Sequence, residues 1–386
     1  MVKYGFHKTY KLGGNFMVAN ETIKKKGGKR KITILLTIIL SICLLFTGCT
    51  DQQKEDTLDL LIDIVVQILS PDETTDSTEE PGNSDIPFAV EGEMQVHFID
   101  VGQADATLFI QGDQVMLFDV ATAGRGDDVV KYLQDLNIDY IDVLVLTHPH
   151  DDHMGGAAEV LNNIEVGKLY APDIFDIMEY NKDGEPIKPP VWYSEMMTAV
   201  NSIDAQLNKG VPKNQQTSIW NFPVNEDGEF EKFTIGDAVV QFYAPLEDNY
   251  SDKNDYSICA KVSFGSIDIM MTGDATTAVE KALLKQNYDL DVEIFQAGHH
   301  GSDTSNSKDF LNEMSPECIV ISCGMQNKHN HPVKSVVDLF KELDLPVYRT
   351  DESGNIIMTT DGTEYIFNVE PGTYTSGKEY NDQKGK

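Results

Sequence analysis

The segment Ile141-Asp142-Val143-Leu144-Val145-Leu146-Thr147-His148-Pro149-His150-Asp151-Asp152-His153 constrains this chain most, because a mostly apolar run leads directly into a cluster of histidines and acids. A short, mostly apolar run predicts a buried strand, and strands buried on both faces belong to sheets covered by helices. His148, His150, Asp152 and His153 cannot all face one way in a helix or a strand, but a loop at the strand's end can converge them. Imidazoles suit zinc and other borderline divalent ions, and the carboxylate adds compensating charge, holds a second ion or orients a water. Only nine histidines occur in 386 residues, so three within six positions do not arise from composition alone.

Three further elements carry the same chemistry. An apolar strand ending in Met271-Thr272-Gly273-Asp274 places a carboxylate at a strand's C-terminal edge, where it can bridge two metal ions. Gly298-His299-His300-Gly301-Ser302 comes after another strand, with Thr304 and Ser305 behind it. Adjacent histidines in a turn can split roles, one ligating and one donating a proton, while Ser302 or Ser305 hydrogen-bonds an oxyanion. After a strand at Cys318 comes Asn327-Lys328-His329-Asn330-His331-Pro332, in which His331 is a plausible ligand and His329 a solvated neighbour. His97 lies within a strand pattern and reads as structural.

Periodicity supplies the frame. Strands are expected over 94–100, 106–110, 114–119, 141–146, 233–243 and 257–271, the last interrupted by a turn at Gly265-Ser266. Helices are expected over 127–136 and 193–207. The last third alternates helix 277–286, strand 292–297, helix 307–314, strand 318–322 and helix 334–343, then closes with a hairpin of 356–360 and 365–369. Strand-rich halves closed by helices predict an α/β protein with an αββα sandwich, two mixed sheets between helices. The folded domain is expected over 91–370, and residues 371–386 as a disordered tail.

The N-terminal 90 residues read differently. Lys24, Lys25, Lys26, Lys29, Arg30 and Lys31 precede an apolar run from Ile32 to Phe46 and then Thr47-Gly48-Cys49, the layout of an export signal over residues 1–48. Phe46-Thr47-Gly48-Cys49 resembles a bacterial lipobox, which implies lipidation at Cys49; a retained N-terminal anchor helix is the alternative. Either way, the expected partner is a membrane and the expected place the extracellular face of the bacterial cytoplasmic membrane. Within residues 49–90, an apolar stretch from Leu58 to Leu69 reads as a helix and 70–87 as an acidic, disordered tether.

Nine of the 30 Lys/Arg and one of the 63 acidic residues lie in residues 1–48, so the remainder carries a formal net charge of −41. Phosphate neutralisation by Lys/Arg dominates nucleic-acid affinity, so nonspecific coating of DNA is disfavoured, while a local basic path to a metal site stays open. Cys259, Cys318 and Cys323 read as buried core thiols: five residues of extended chain hold the last two beyond disulfide reach.

These elements together resemble the metallo-β-lactamase superfamily, and in finer pattern the hydrolase domain of the ComEC competence-protein family. Phe98-Ile99-Asp100-Val101-Gly102-Gln103-Ala104-Asp105-Ala106 is similar to that family's opening motif, with Ala104 where Gly is usual. Phe118-Asp119 is similar to the segment whose Asp buttresses the metal loop. Asn254, Ser257, the Thr272-Gly273-Asp274 and His299-to-Ser302 elements, 327–332 and Arg349-Thr350-Asp351 complete a likeness running from about 94 to 367. The sequence carries no multi-helix channel, which argues against a DNA-import pore.

The resemblance implies one or two divalent ions, zinc or manganese, held by His148, His150, Asp152, His153, Asp274 and a later histidine. His331 is preferred as that last ligand, with His299 and His300 near the scissile group and Asp152 in the catalytic set. Asn254, Ser302 and Ser305 are expected at the substrate, and Asp100, Asp105 and Asp119 as supports. One departure stands out: no histidine lies between His153 and His299, so the His148/His150 side lacks its usual third imidazole.

The expected activity is metal-dependent hydrolysis of a phosphodiester, in nucleic acid or a cell-envelope polymer, by metal-activated water. A lactonase or β-lactamase acting on a carbonyl, and a metal-binding surface lipoprotein without turnover, are the competing readings. Trp192 and Tyr193, at the end of a loop from Pro172, are candidates to stack a base or a choline, or simply to pack.

Overall fold

In this computed structural model the structure describes residues 11–12, 15–16, 92–172, 188–225, 227–247 and 249–384. The expected lipobox at Cys49, the apolar stretch from Leu58 to Leu69, the tether and nearly all of the leader lie outside the described residues. Residues Met1–Gly82 form one unit, within which β1 (Lys11–Leu12) pairs antiparallel with β2 (Asn15–Phe16). No helix among the described residues is long and apolar enough to cross a membrane.

The second unit, Asn83–Lys386, contains two mixed sheets. In the first, β3 (Met94–Phe98), β4 (Thr107–Gln111) and β5 (Gln114–Phe118) are antiparallel. From β5 the sheet continues in parallel through β6 (Tyr140–Val145), β7 (Glu165–Tyr170) and β8 (Trp220–Asn221). In the second sheet β9 (Lys232–Ile235), β10 (Ala238–Phe242), β11 (Ala260–Phe264) and β12 (Ile267–Met271) are antiparallel. From β12, β13 (Ile294–Gln296), β14 (Cys318–Ile321) and β15 (Val347–Arg349) run parallel. The chain then returns to the first sheet: β16 (Ile356–Thr360) pairs with β3, and β17 (Tyr365–Phe367) with β16.

Three apolar layers hold this together. Phe98, Phe109 and Phe118 of the first sheet meet Phe242, Val262 and Ile269 of the second. Each fully buried Phe contributes about 1.5–3 kcal/mol relative to exposure. Outside the first sheet lie α1 (Gly126–Asp135), α2 (Asp151–Met154), α3 (Ala157–Asn163) and α4 (Val191–Leu207), with Val129, Leu133, Val160 and Met196 turned inward. Outside the second lie α5 (Thr277–Leu283), α6 (Lys308–Met314) and α7 (Lys334–Glu342), burying Val279, Phe310 and Phe340. The expected αββα sandwich is the observed fold.

The structure changes two expectations and adds to two other readings. The single strand over 233–243 is the hairpin β9–β10, turning at Gly236, whose φ of 58° favours glycine. Trp192 and Tyr193 belong to the first turn of α4, which begins two residues ahead of the expected helix, and pack against the core, one of the two roles offered for them. Strand β7 and helix α3 have no counterpart in the sequence pattern, because 157–170 mixes buried and exposed positions without a sustained period. The expected disordered tail is ordered through Lys384: α8 (Thr350–Ser353) and the buried Arg349 hold 373–376, and α9 (Gly377–Lys384) comes next. Arg349 donates to the carbonyls of Thr373 and Thr375, backbone partners that composition does not reveal.

Cys259, Cys318 and Cys323 are buried free thiols, and burial raises the pKa of each. His97 is buried, with Nδ1 at 2.9 Å from the Tyr132 hydroxyl and Nε2 at 3.2 Å from Gln95 Oε1, a structural role as expected.

Candidate metal centre

The C-terminal ends of β5, β6, β12, β13 and β14 gather at one edge of the sandwich, where each strand releases a chemically active loop. Ends of strands are where an α/β sheet offers its side chains to a ligand. Asp119 leaves β5 with φ 59°, and both its oxygens turn to the loop after β6. Oδ1 accepts from the Thr147 backbone N–H at 2.8 Å, and Oδ2 accepts from Thr147 Oγ1 at 2.8 Å and from His153 Nδ1 at 2.7 Å. Thr147 Oγ1 in turn accepts from His148 Nδ1 at 3.0 Å. One buried carboxylate thereby orients two rings, leaving His148 Nε2 and His153 Nε2 to face inward. His150 comes next, with Nδ1 3.0 Å from His148 Nε2.

Asp274 enters from the end of β12, its N–H held by Ser257 Oγ at 3.1 Å. Its oxygens divide the cluster. Oδ1 lies 3.1 Å from His153 Nε2 and 3.8 Å from His300 Nε2. Oδ2 lies 3.3 Å from His299 Nε2 and 3.7 Å from His148 Nε2. His300 is buried, with Nδ1 3.0 Å from the Ser322 carbonyl and 3.2 Å from Asp105 Oδ1, so its Nε2 reaches Asp152 Oδ2 at 3.5 Å. Asp105 is further tied in by its N–H to the Asp152 carbonyl, 3.0 Å.

Three sets of donor atoms lie mutually within 4.8 Å: His148, His153 and Asp274; Asp152, His153 and His300; and Asp105, Asp119 and His153. Four buried atoms here, Asp105 Oδ1, His153 Nε2, Asp274 Oδ1 and His300 Nε2, have no hydrogen bond. Buried polar atoms are ordinarily satisfied, and His153 Nε2, His300 Nε2 and Asp274 Oδ1, which face one another at 3.1 and 3.8 Å, fit a cation held among them.

The electrostatics agree. Burial opposes charge on His153 and His300, yet Asp274 and Asp119 hold the first, and Asp105 and Asp274 the second, well above the ordinary histidine value. Burial drives His148 well below it. Despite burial, Asp274 lies well below the carboxylate range because His153 and His300 face it, and Asp152 is lowered by His300 and His153. Positive charge is what this cluster of carboxylates demands.

His331, preferred from sequence as the last ligand, does not close on Asp152; His300 does. The His331 ring stands 6.3 Å from His300 and 5.5 Å from His299, with Nδ1 3.4 Å from Gln103 Nε2, and burial and the rings of His300 and His299 push its pKa down to about 3. The reason is backbone: His299 and His300 both have φ 54°, which turns the His300 ring onto the Ser322 carbonyl.

Ser305 also departs from expectation. It is buried, and its hydroxyl donates to the Ala275 carbonyl at 2.8 Å, away from the cleft. Ser302 Oγ is paired with Thr304 Oγ1 at 3.0 Å. Asn254 lies in the turn Lys253–Tyr256 with its Oδ1 buried and without a hydrogen bond. Asp100 is exposed and accepts from the Gly102 N–H at 3.1 Å, shaping the opening loop.

A cleft of about 570 Å³ opens over the cluster, lined by Gln103, Thr122, His150, Asp152, His299, Asn327, Lys328 and His329 among others. Sequence reasoning does not single out Thr147, Gln103, Thr122 or Lys328 as site residues. Gln103, Thr147 and Lys328 stand in motifs beside the acidic and imidazole groups, a signal that could have found them; Thr122 has no such signal. Asn327 builds the rim by accepting from the N–H groups of His329 at 3.1 Å and His331 at 2.9 Å.

Known proteins share this sequence over most of the described domain. ComE operon protein 3 of Bacillus subtilis is 24% identical over 303 residues, 74% of this chain and 35% of that protein. Competence protein ComA of Neisseria gonorrhoeae is 30% identical over 272 residues, 69% of this chain and 33% of its own. Recombination protein 2 of Haemophilus influenzae is 25% identical over 267 residues, 68% and 28% respectively. All three are ComEC-family proteins, and the chain spans about a third of the length of these curated relatives. The family model described as the metallo-beta-lactamase superfamily matches residues 99–324, the segment that contributes His148, His150, Asp152, His153, Asp274 and His300. The chain belongs to the metallo-beta-lactamase superfamily.

Proposed function

We propose that the protein is a metal-dependent phosphodiesterase acting on nucleic acid or on a cell-envelope phosphodiester. The observation that carries this reading is the division of Asp274 between two sets of rings, one oxygen toward His148 and the other toward His153 and His300. A shared carboxylate between two donor sets suits a pair of divalent ions, zinc or manganese. His148, His150 and Asp274 would hold one ion, and Asp152, His153, His300 and Asp274 the other. Bound there, the ions would neutralise phosphate oxygens and acidify a water.

The chain's own residues do the rest. Asp119 keeps His148 and His153 in the tautomers that present Nε2 inward. Lys328 offers a cation at the cleft rim, where the rest of the surface is strongly acidic. His329, exposed at the same rim, would in this reading share with the His299–His300 pair the task of passing a proton to the leaving oxygen. Competence and recombination, the words in the relatives' names, favour a nucleic-acid phosphodiester. The basic and apolar leader with its lipobox-like Cys49 supports export and tethering at the outer face of the membrane.

The test is turnover of bis-p-nitrophenyl phosphate by the full chain with added Mn or Zn. Activity that His150→Ala removes is expected. Inertness toward this ester with nitrocefin or lactone turnover in its place would move the reading to a carbonyl hydrolase. Inertness toward all three, despite bound ion, would leave a binding protein.

A further inference from the structure

The sequence leaves the His148/His150 side one imidazole short, since no histidine lies between His153 and His299. We propose that His299 supplies it, so that the adjacent pair His299–His300 is divided between the two halves of the centre. This rests on reading the cluster as a metal centre, and it converts the weaker half into a site of three imidazoles and one shared carboxylate.

The two oxygens of Asp274 make the division. His300 Nε2 faces Oδ1, the oxygen that His153 also addresses, at 3.8 and 3.1 Å respectively. His299 Nε2 faces Oδ2, the oxygen that His148 addresses, at 3.3 and 3.7 Å respectively. His299 lies outside the three tight donor sets, yet it approaches Oδ2 more closely than His148 does.

The far side of the His299 ring is already committed. Nδ1 stands 2.9 Å from Thr304 Oγ1, and Thr304 is itself fixed by Ser302 Oγ at 3.0 Å. With its outer N–H given to that hydroxyl, the ring would present a bare Nε2 inward, the arrangement that metal-ligating histidines show. Thr304 would serve His299 as Thr147 serves His148.

The backbone is built for this division. Neighbouring side chains ordinarily diverge, whereas His299, His300 and Gly301 all have positive φ, at 54°, 54° and 81°. Two consecutive non-glycine residues in the left-handed region are strained and persist only where surroundings impose them. Here His299 N–H is held by the Gly273 carbonyl at 2.9 Å, one residue before Asp274. The rings end 6.1 Å apart at 69°, one buried and one 22% exposed at the cleft, both turned to the same carboxylate. A helical or extended pair would not place both there.

The test is metal stoichiometry of the full chain, stripped and reloaded with Mn or Co, read by elemental analysis and titration calorimetry. Two ions per wild-type chain and one in His299→Ala are expected, with the magnetic coupling between paired Mn ions lost from the electron paramagnetic resonance spectrum. Thr304→Val, which leaves the ring but frees its outer nitrogen, is expected to weaken only the second ion, by roughly 10- to 100-fold. Circular dichroism on both variants separates ligand loss from misfolding, and Thr304→Val stands in if His299→Ala does not fold. Two ions bound with unchanged affinities in both variants would overturn the proposal and leave His299 as a proton carrier. A wild-type chain that takes up a single ion, unaffected by either variant, would overturn it equally. A wild-type chain that binds no ion would instead defeat the metal reading itself.

Discussion

His153 Nδ1 and Asp119 Oδ2 stand 2.7 Å apart, both buried, and this contact decides which nitrogen the ring turns to the cluster. Asp119 also holds Thr147, and through it His148, so one side chain outside the ligand set organises two members of it. Replacing it by Asn tests this with little backbone disturbance, because Asn tolerates the φ of 59° at this position. Asp119→Asn is expected to lower divalent-ion affinity by roughly 10- to 100-fold. Competition against a chromophoric chelator measures it; unchanged affinity in a folded variant would remove the buttress role.

Arg349 is fully buried, and its guanidinium makes two bonds to Asp351, 3.0 and 2.8 Å, besides those to the C-terminal segment. Its charge cannot be removed without stranding Asp351. Arg349→Met is expected to cost about 3–5 kcal/mol in urea unfolding. The double change Arg349→Met with Asp351→Leu should recover a large part of that loss. A double variant no more stable than the single one would mean that the carboxylate is not the origin of the cost.

His97 gives a pH signature away from the metal centre. Burial lowers its pKa from 6.5 to about 4, so the folded ring stays neutral where an unfolded one is protonated. Between those two values the unfolded chain binds more protons, and stability therefore falls as pH drops from about 6.5 to about 4. The full effect is about 3 kcal/mol. The stability difference between wild type and His97→Gln, measured by urea unfolding across this window, should shrink toward acid by about that amount. A difference that stays flat would show that the ring titrates normally in the fold.

Ser305 separates the observed role from the one the sequence suggested. Its buried hydroxyl donates to the Ala275 carbonyl, one residue past Asp274. Ser305→Ala is expected to cost about 1 kcal/mol of stability and to leave KM for a phosphodiester unchanged. A raised KM at unchanged stability would return Ser305 to the substrate.

Sequence alone determined the order of strands and helices, from which the layered sandwich was expected, and the identity of the metal-binding loop, because these are local patterns. The run before His148 is a strand by composition, and His148, His150, Asp152 and His153 are neighbours in the chain. The Asp274 and His299–His300 elements were also visible, each at the end of an apolar run. Tertiary structure decided which oxygen of Asp274 each ring faces, and that His300 rather than His331 closes on Asp152. Both histidines come after adjacent parallel strands, so their loops start equally near the cluster. The choice rests on left-handed backbone at 299–301 and on the Ser322 carbonyl, which comes from the neighbouring strand's end. The return of β16 to pair with β3, and the docking of 373–376 on Arg349, likewise depend on partners some 25 to 260 residues distant. Side-chain period tells which face of an element is buried, but not which remote carbonyl will meet it.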